Sequence, residues 1–161
     1  LKKHKYEVVK KDKEKEIYKI IIKKKEFYIF KPLTYMNLSG QPLGSFLNYY
    51  KIVKKNLTVI HDDIDIEVGK FKIKYGGGNA GHNGLQSIDE TIGNLYNRFR
   101  VGVGHPGNKE MVNHYVLEKF NPNEQKLISK LIDLSIDNLY LLIDQKNLFL
   151  NKVKLKFNES S

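Results

Sequence analysis

Apolar and polar positions fall along this chain in short runs whose spacing changes from strand-like to helical and back. Ile17 to Lys23 and Glu26 to Phe30 read as two short strands around a Lys-rich turn, a hairpin that Pro32 brings to an end. From Ser39 to Ile52 the spacing is helical. Leu43, Phe46, Leu47 and Tyr50 fall at i, i+3, i+4 and i+7 and make one apolar face. Pro42 fits only if it lies in the first turn. Leu57 to Ile60 predicts a compact buried strand, with His61, Asp62 and Asp63 just past its end. Lys70 to Tyr75 sets Phe71, Ile73 and Tyr75 on one face and three lysines on the other, a half-exposed strand. A glycine-rich stretch, residues 76–84, leads into a short helix marked by Leu85, Ile88 and Ile92 and closed by Gly93. Phe99, Val101 and Val103 alternate in a further strand, followed by a loop at Gly104 to Gly107.

Asn121, Pro122 and Glu124 have the form of a capped helix start, opening a long amphipathic helix that carries Leu127, Ile128, Leu131, Ile132, Leu134 and Leu139. After Asn147, Val153, Leu155 and Phe157 alternate with lysines, which suggests a frayed strand or an appendage. Strands alternating with helices predict one α/β domain over residues 1–161, with a central mixed sheet flanked by helices.

Length agrees with that domain count. A chain of 161 residues buries roughly 70% of its unfolded surface. No apolar run approaches the ~20 residues that span a bilayer, and no apolar segment follows Lys2, Lys3 and Lys5. A cytoplasmic protein without membrane attachment is expected. The chain has no cysteine, which excludes disulfides, thiolate zinc sites and a cysteine nucleophile. Net charge is +10, but the basic residues are almost all lysine, with only Arg98 and Arg100 besides, and Ala80 is the sole alanine. That pattern is the mark of an AT-rich coding bias. Residues 1–31 hold 12 lysines against five acids, and read equally as a polyanion-binding segment or a solvated surface.

Three segments carry candidate chemistry. Glycines 76, 77, 78 and 81 lie between a strand and a helix, where backbone N–H groups attract anions. They fit neither the dinucleotide fingerprint nor the P-loop. More glycine than a turn requires suggests close approach of something bulky, with Asn79, His82 and Asn83 at the rim. At a strand end, a carboxylate such as Asp62 can orient a histidine and stabilise its charged form; a turn cap or a surface acid pair is the alternative. Asp63, Asp65 and Glu67 lack the spacing of a metal site. In Lys31 to Gly40, Asn37 offers donor and acceptor at once, while Ser39 can cap the following helix.

Together these segments resemble bacterial peptidyl-tRNA hydrolase. The likeness rests on Lys-Pro-Leu-Thr-Tyr-Met-Asn-Leu-Ser-Gly at 31–40, His-Asp-Asp-Ile-Asp at 61–65 and the glycine-rich stretch through Leu85. Arg-Phe-Arg-Val-Gly-Val-Gly-His-Pro-Gly at 98–107 and Val-Asn-His-Tyr-Val-Leu at 112–117 extend it, so that it covers about residues 17–145. The resemblance implies a monomer that hydrolyses the ester joining a peptide to the 3′ end of tRNA, with no metal or organic cofactor. Peptidyl-tRNA is the implied partner. By motif, Asp62 matches the aspartate that keeps a histidine base in its basic form. Asn37 and Asn83 match two asparagines lining the site, and Tyr35 an aromatic of the same pocket. Lys74, Arg100 and Lys109 match positions that grip tRNA phosphate.

One part of the pattern is not found. The family's catalytic histidine follows a first strand and a Gly-Asn-Pro-Gly turn, in Thr-Arg-His-Asn, and His4 has no such surroundings. With Leu1 in first place, an N-terminally truncated hydrolase is expected, nearly inactive by itself. The alternative is a non-catalytic RNA-binding relative that keeps the phosphate-gripping cations.

Overall fold

A computed structural model describes residues 4–142 and 144–159. Lys2 and Lys3, part of the opening charge run, lie outside the described residues. The strands are β1 (Tyr6–Lys11), β2 (Lys15–Ile22), β3 (Lys25–Pro32), β4 (Thr58–Asp63), β5 (Phe71–Tyr75) and β6 (Asn97–Gly102). The helices are α1 (Gly40–Tyr49), α2 (Asn83–Ile92), α3 (Val112–Tyr115), α4 (Pro122–Asp137) and α5 (Lys146–Glu159), with single helical turns at Met36–Leu38, Lys54–Asn56, Lys109–Met111 and Leu139–Leu141. This is an α/β protein containing a mixed sheet. Its chain divides into two compact units, Leu1–Leu57 with Tyr75–Tyr96, and Thr58–Lys74 with Asn97–Ser161.

The first unit contains an antiparallel sheet of order β1-β2-β3. The expected hairpin is β2 and β3, paired from Lys15↔Pro32 to Ile22↔Lys25. Lys23 and Lys24 turn the chain with φ of 47° and 63°, the positive-φ geometry whose twist matches the flanking strands. β1 was not foreseen. Its Tyr6 and Val8 stay about half exposed among charges, so no apolar alternation marks it. Lysines of this sheet are largely answered by its own acids, Lys11 with Glu16 at 2.9 Å, Lys19 with Glu26 at 2.6 Å and Lys10 with Asp12 at 3.3 Å. That favours the solvated-surface reading of the N-terminal charge.

Leu43, Phe46 and Leu47 form the predicted buried face of α1, and Pro42 does lie in its first turn. Phe46 meets Phe30 at 5.0 Å and Tyr28 at 6.0 Å between ring centroids. Leu85 and Ile88 are buried on α2, which ends at Gly93 with φ 76°.

The second unit contains a three-stranded sheet of order β4-β6-β5. β4 and β6 are parallel, from Thr58↔Asn97 to Asp63↔Gly102. β5 lies antiparallel to β6, bracketed by the Gly102 N–H donating to Lys70 O and the Gly76 N–H donating to Tyr96 O, each at 2.9 Å. Two details of β4 differ from expectation. It runs on through His61, Asp62 and Asp63 instead of stopping before them. Nor is it fully buried, because it borders the sheet, and Ile60 is 66% exposed.

Phe71 and Phe99 stack at 5.2 Å, and Phe149 meets both edge-on at 6.4 and 5.8 Å. Leu131, Leu141, Leu142 and Val153 complete this core. The capping box at Asn121 and Glu124 forms as predicted, but α4 stops at Asp137, before Leu139. The tail is neither strand nor appendage. It is helix α5, and Phe149 and Val153, four residues apart, are buried to 1% and 0% exposure. Three alternating residues cannot separate a period of 2 from one of 3.6. Leu155 then lies off the buried stripe, 60% exposed.

Candidate active site

The first unit holds Tyr35, Asn37 and Asn83. A single helical turn, Met36–Leu38, presents Asn37 to solvent, and Tyr35 just before it is 82% exposed. Asn83 is the first residue of α2 and also exposed. These two elements are locked together. A Cβ on Gly84 would stand 2.6 Å from the Met36 sulfur, so the glycine is what admits the methionine. Asn37 and Asn83, each adjacent in sequence to one member of that contact, are thus carried on adjoining elements. Behind them α1 meets α2 just as closely, with the Gly40 N–H donating to Ser87 Oγ at 3.0 Å. Ser39, expected to cap α1 through its side chain, makes no such bond; it is buried, with its hydroxyl 3.9 Å from the Met36 sulfur.

The glycine-rich loop explains part of its own composition. Gly76, Gly77 and Gly81 have φ of 65°, 115° and 79°, which only glycine adopts without strain. Gly78 needs no such angle, and nothing of the protein lies within 4 Å of where its Cβ would be. His82 is drawn in from the rim as the cap of α2, its Nδ1 accepting from the N–H groups of Gly84 and Leu85 at 3.1 and 3.3 Å. An imidazole that accepts at Nδ1 carries its proton on Nε2 when neutral, so this ring cannot take a proton from water without giving up the cap. His105 is held likewise, its Nδ1 accepting from the Gly107 N–H at 2.9 Å.

In the second unit, Asp62 is half buried on β4, opposite Val101 of β6. His61 Nδ1 lies 2.6 Å from the backbone oxygen of Asp62. A carbonyl only accepts, so Nδ1 is the protonated nitrogen. Arg100, on β6, gives its Nε–H to Asp63 Oδ2 at 2.6 Å. That bond, ahead of the attraction of Asp63 and Asp65, raises the guanidinium's already high pKa. Lys74 on β5 and Lys109 in the turn Lys109–Met111 are exposed, and neither enters an ion pair with any described residue. Loops beneath are tightly built. A Cβ on Gly102 would fall 2.1 Å from Glu67 O, and Tyr115 Oη donates to Val103 O at 2.6 Å.

Of the seven residues singled out in the sequence, the structure therefore gathers Tyr35, Asn37 and Asn83 in one unit, and carries Asp62, Lys74, Arg100 and Lys109 in the other. Two contributors escaped the sequence. Met36 sets the spacing of its neighbours, a role whose only trace was a glycine at the second position of a helix. Asp63 binds Arg100 across β4 and β6, and pairing of those strands is not visible in their separate patterns.

A family model described as peptidyl-tRNA hydrolase matches residues 1–161. The peptidyl-tRNA hydrolase of Rickettsia canadensis is 47% identical over 139 residues, covering 86% of this chain and 75% of the relative. That of Mesorhizobium japonicum is 48% identical over 128 residues, covering 79% and 53% respectively. Among solved structures, the peptidyl-tRNA hydrolase of Acinetobacter baumannii superposes with a TM-score of 0.86 at 35% identity, covering 94% of this chain and 79% of that one. A peptidyl-tRNA hydrolase crystallised with n-propanol superposes with the same TM-score at 34% identity, again covering 94% and 79%. The expected loss of an N-terminal segment gains no support from a family match over residues 1–161, and relatives that bear the hydrolase name do not favour the non-catalytic alternative.

Proposed function

This chain belongs to the peptidyl-tRNA hydrolase family, and on that premise we propose how its residues divide the work. The reaction is hydrolysis of the ester between a peptide and tRNA. Asp62 orients a histidine that takes a proton from the attacking water and steadies its charged form. No histidine of the chain is assigned as that base. Asn37 and Asn83 hold the water and the 3′ end of the substrate through amide donors and acceptors, with Tyr35 as an aromatic wall. Lys74, Arg100 and Lys109 hold tRNA phosphate, which suits cations that are exposed or only half buried on strands and a turn. We place the protein in the cytoplasm as a monomeric single domain that returns tRNA to translation.

The observation that supports this most is the interlock of Met36 with Gly84, because it seats both asparagines on a rigid base. In the enzyme, Asp62→Ala is expected to lower kcat for peptidyl-tRNA by about a hundredfold or more, the scale of lost acid–base assistance. KM should move far less. Unchanged turnover would remove Asp62 from the mechanism.

A further inference from the structure

The bond between Asp63 and Arg100 has a shape that suits more than charge neutralisation. Asp63 is held at both carboxylate oxygens. Its Oδ1 accepts from the Asp65 N–H at 3.1 Å, and its Oδ2 accepts from Arg100 Nε at 2.6 Å. Its carbonyl also receives the Val103 N–H at 3.1 Å, so the residue is tied to the loop after β6. The Asp63 side chain is 11% exposed and that of Arg100 24% exposed, so the carboxylate is the more enclosed partner. Only Nε of the guanidinium is engaged by described residues, which leaves the Nη donors, the end that suits a bidentate phosphate contact, uncommitted.

We propose that Asp63 is a positioning residue for tRNA binding: it clamps Arg100 through Nε so that the Nη end is presented, already ordered, to a substrate phosphate. The inference rests on the assignment of Arg100 to phosphate and extends it to a residue with no contact of its own to RNA. An unclamped arginine loses rotamer freedom when it binds, which weakens the contact by up to about tenfold or somewhat more.

Charge repulsion alone would act in the opposite direction. A carboxylate near a phosphate repels it, so removing the charge at Asp63 would tighten binding by about twofold to threefold if electrostatics alone acted. Asp63→Asn separates the two, since an amide oxygen still accepts from the Asp65 N–H while the anionic acceptor for Arg100 is gone. Dissociation constants for deacylated tRNA are measured for the parent, Asp63→Asn, Arg100→Ala and the double variant across a salt series. Circular dichroism monitors the fold. The expected result is that Asp63→Asn weakens binding by about fivefold to tenfold, that Arg100→Ala weakens it at least as much and cuts the salt slope by about one, and that the double variant equals Arg100→Ala. With peptidyl-tRNA as substrate, Asp63→Asn raises KM more than it lowers kcat, and Asp63→Glu, which keeps the anionic acceptor, recovers part of the loss. Tighter or unchanged binding in Asp63→Asn overturns the proposal, as do losses that add in the double variant. If Arg100→Ala leaves both affinity and salt slope as they were, the assignment of Arg100 to phosphate is what fails, and the clamp falls with it. If Asp63→Asn does not fold, Arg100→Lys decides: it keeps the charge and the salt slope but has no Nε to clamp, so it should bind about fivefold to tenfold more weakly than the parent, and parent-like binding overturns the proposal.

Discussion

Replacing Gly40 with alanine tests whether the α1–α2 contact is what holds the asparagine-bearing elements in place. The added Cβ would lie 2.0 Å from Ser87 O, 2.4 Å from Thr91 Oγ1 and 2.6 Å from the Ser87 carbonyl carbon, where ordinary contact begins near 3.4 Å. The nearest atom is backbone, so a rotamer change cannot relieve it, and α1 must move from α2 by more than an ångström. Overpacking of this kind costs about 1–3 kcal/mol, and the displaced bond from Gly40 N–H to Ser87 Oγ adds about 1 kcal/mol. Against this, alanine gains about 0.5–1 kcal/mol over glycine in a helix. The net loss is about 1–3.5 kcal/mol, which at a urea m-value of about 2 kcal/mol per molar lowers the unfolding midpoint by about 0.5–1.8 M. The chain has no tryptophan, so far-UV circular dichroism is the suitable probe. Because α1 follows directly on the turn carrying Asn37, and α2 opens with Asn83, kcat should fall as well. Gly78→Ala is the control. Its Cβ meets nothing within 4 Å, so stability should change by no more than about 0.5 kcal/mol. A midpoint for Gly40→Ala within about 0.3 M of the parent would refute the reasoning, since the close approach of the helices would then be slack.

Truncating Phe149, which is 1% exposed and meets two aromatic rings, should cost about 3–5 kcal/mol in chemical denaturation, whereas Leu155→Ala, at 60% exposure on the same helix, should cost under about 1 kcal/mol; equal losses would contradict the assigned face of α5. Glu16 is held below its ordinary pKa, first by the hydrogen bond from Lys11 and then by that from Tyr18. A lowered carboxylate stabilises the fold above its unfolded pKa and ceases to do so as pH falls through the folded value. Thermal melts should therefore show a loss below the ordinary glutamate range that Glu16→Gln flattens, and an identical acid profile in that variant would exclude the group.

How far the sequence could be read depended on whether a signal was local. The capping box at Asn121 and Glu124, the lysine turn and the Gly93 stop are written in neighbouring residues; the first and last formed where expected, and the turn falls at Lys23–Lys24, one residue earlier than the strand patterns place it. β1 leaves no mark in the sequence because its apolar residues remain half exposed among charges, so burial never sorted them into a pattern. α5 is ambiguous in the sequence because Val153, Leu155 and Phe157 alternate over too short a span, and the residue that decides the period, Phe149, stands outside it. Among site residues, Asn37, Asn83 and Asp62 could be picked out by type and motif, but the role of His82 could not. Only the N–H groups of Gly84 and Leu85, brought round by the first turn of α2, show that its imidazole is occupied as a cap.

By itself the sequence determined the α/β class, the family and the residue types available for chemistry, since all three follow from local patterning and from motifs in a given order. Tertiary structure alone decided which atoms those residues meet. Met36 seats against Gly84 because two segments 48 positions apart are pressed together with no Cβ between them. Asp63 reaches Arg100 because β4 and β6 pair in parallel with His61 opposite Arg100. Register between distant strands depends on burial and hydrogen bonding summed over both partners, and neither segment carries that sum in its own residues.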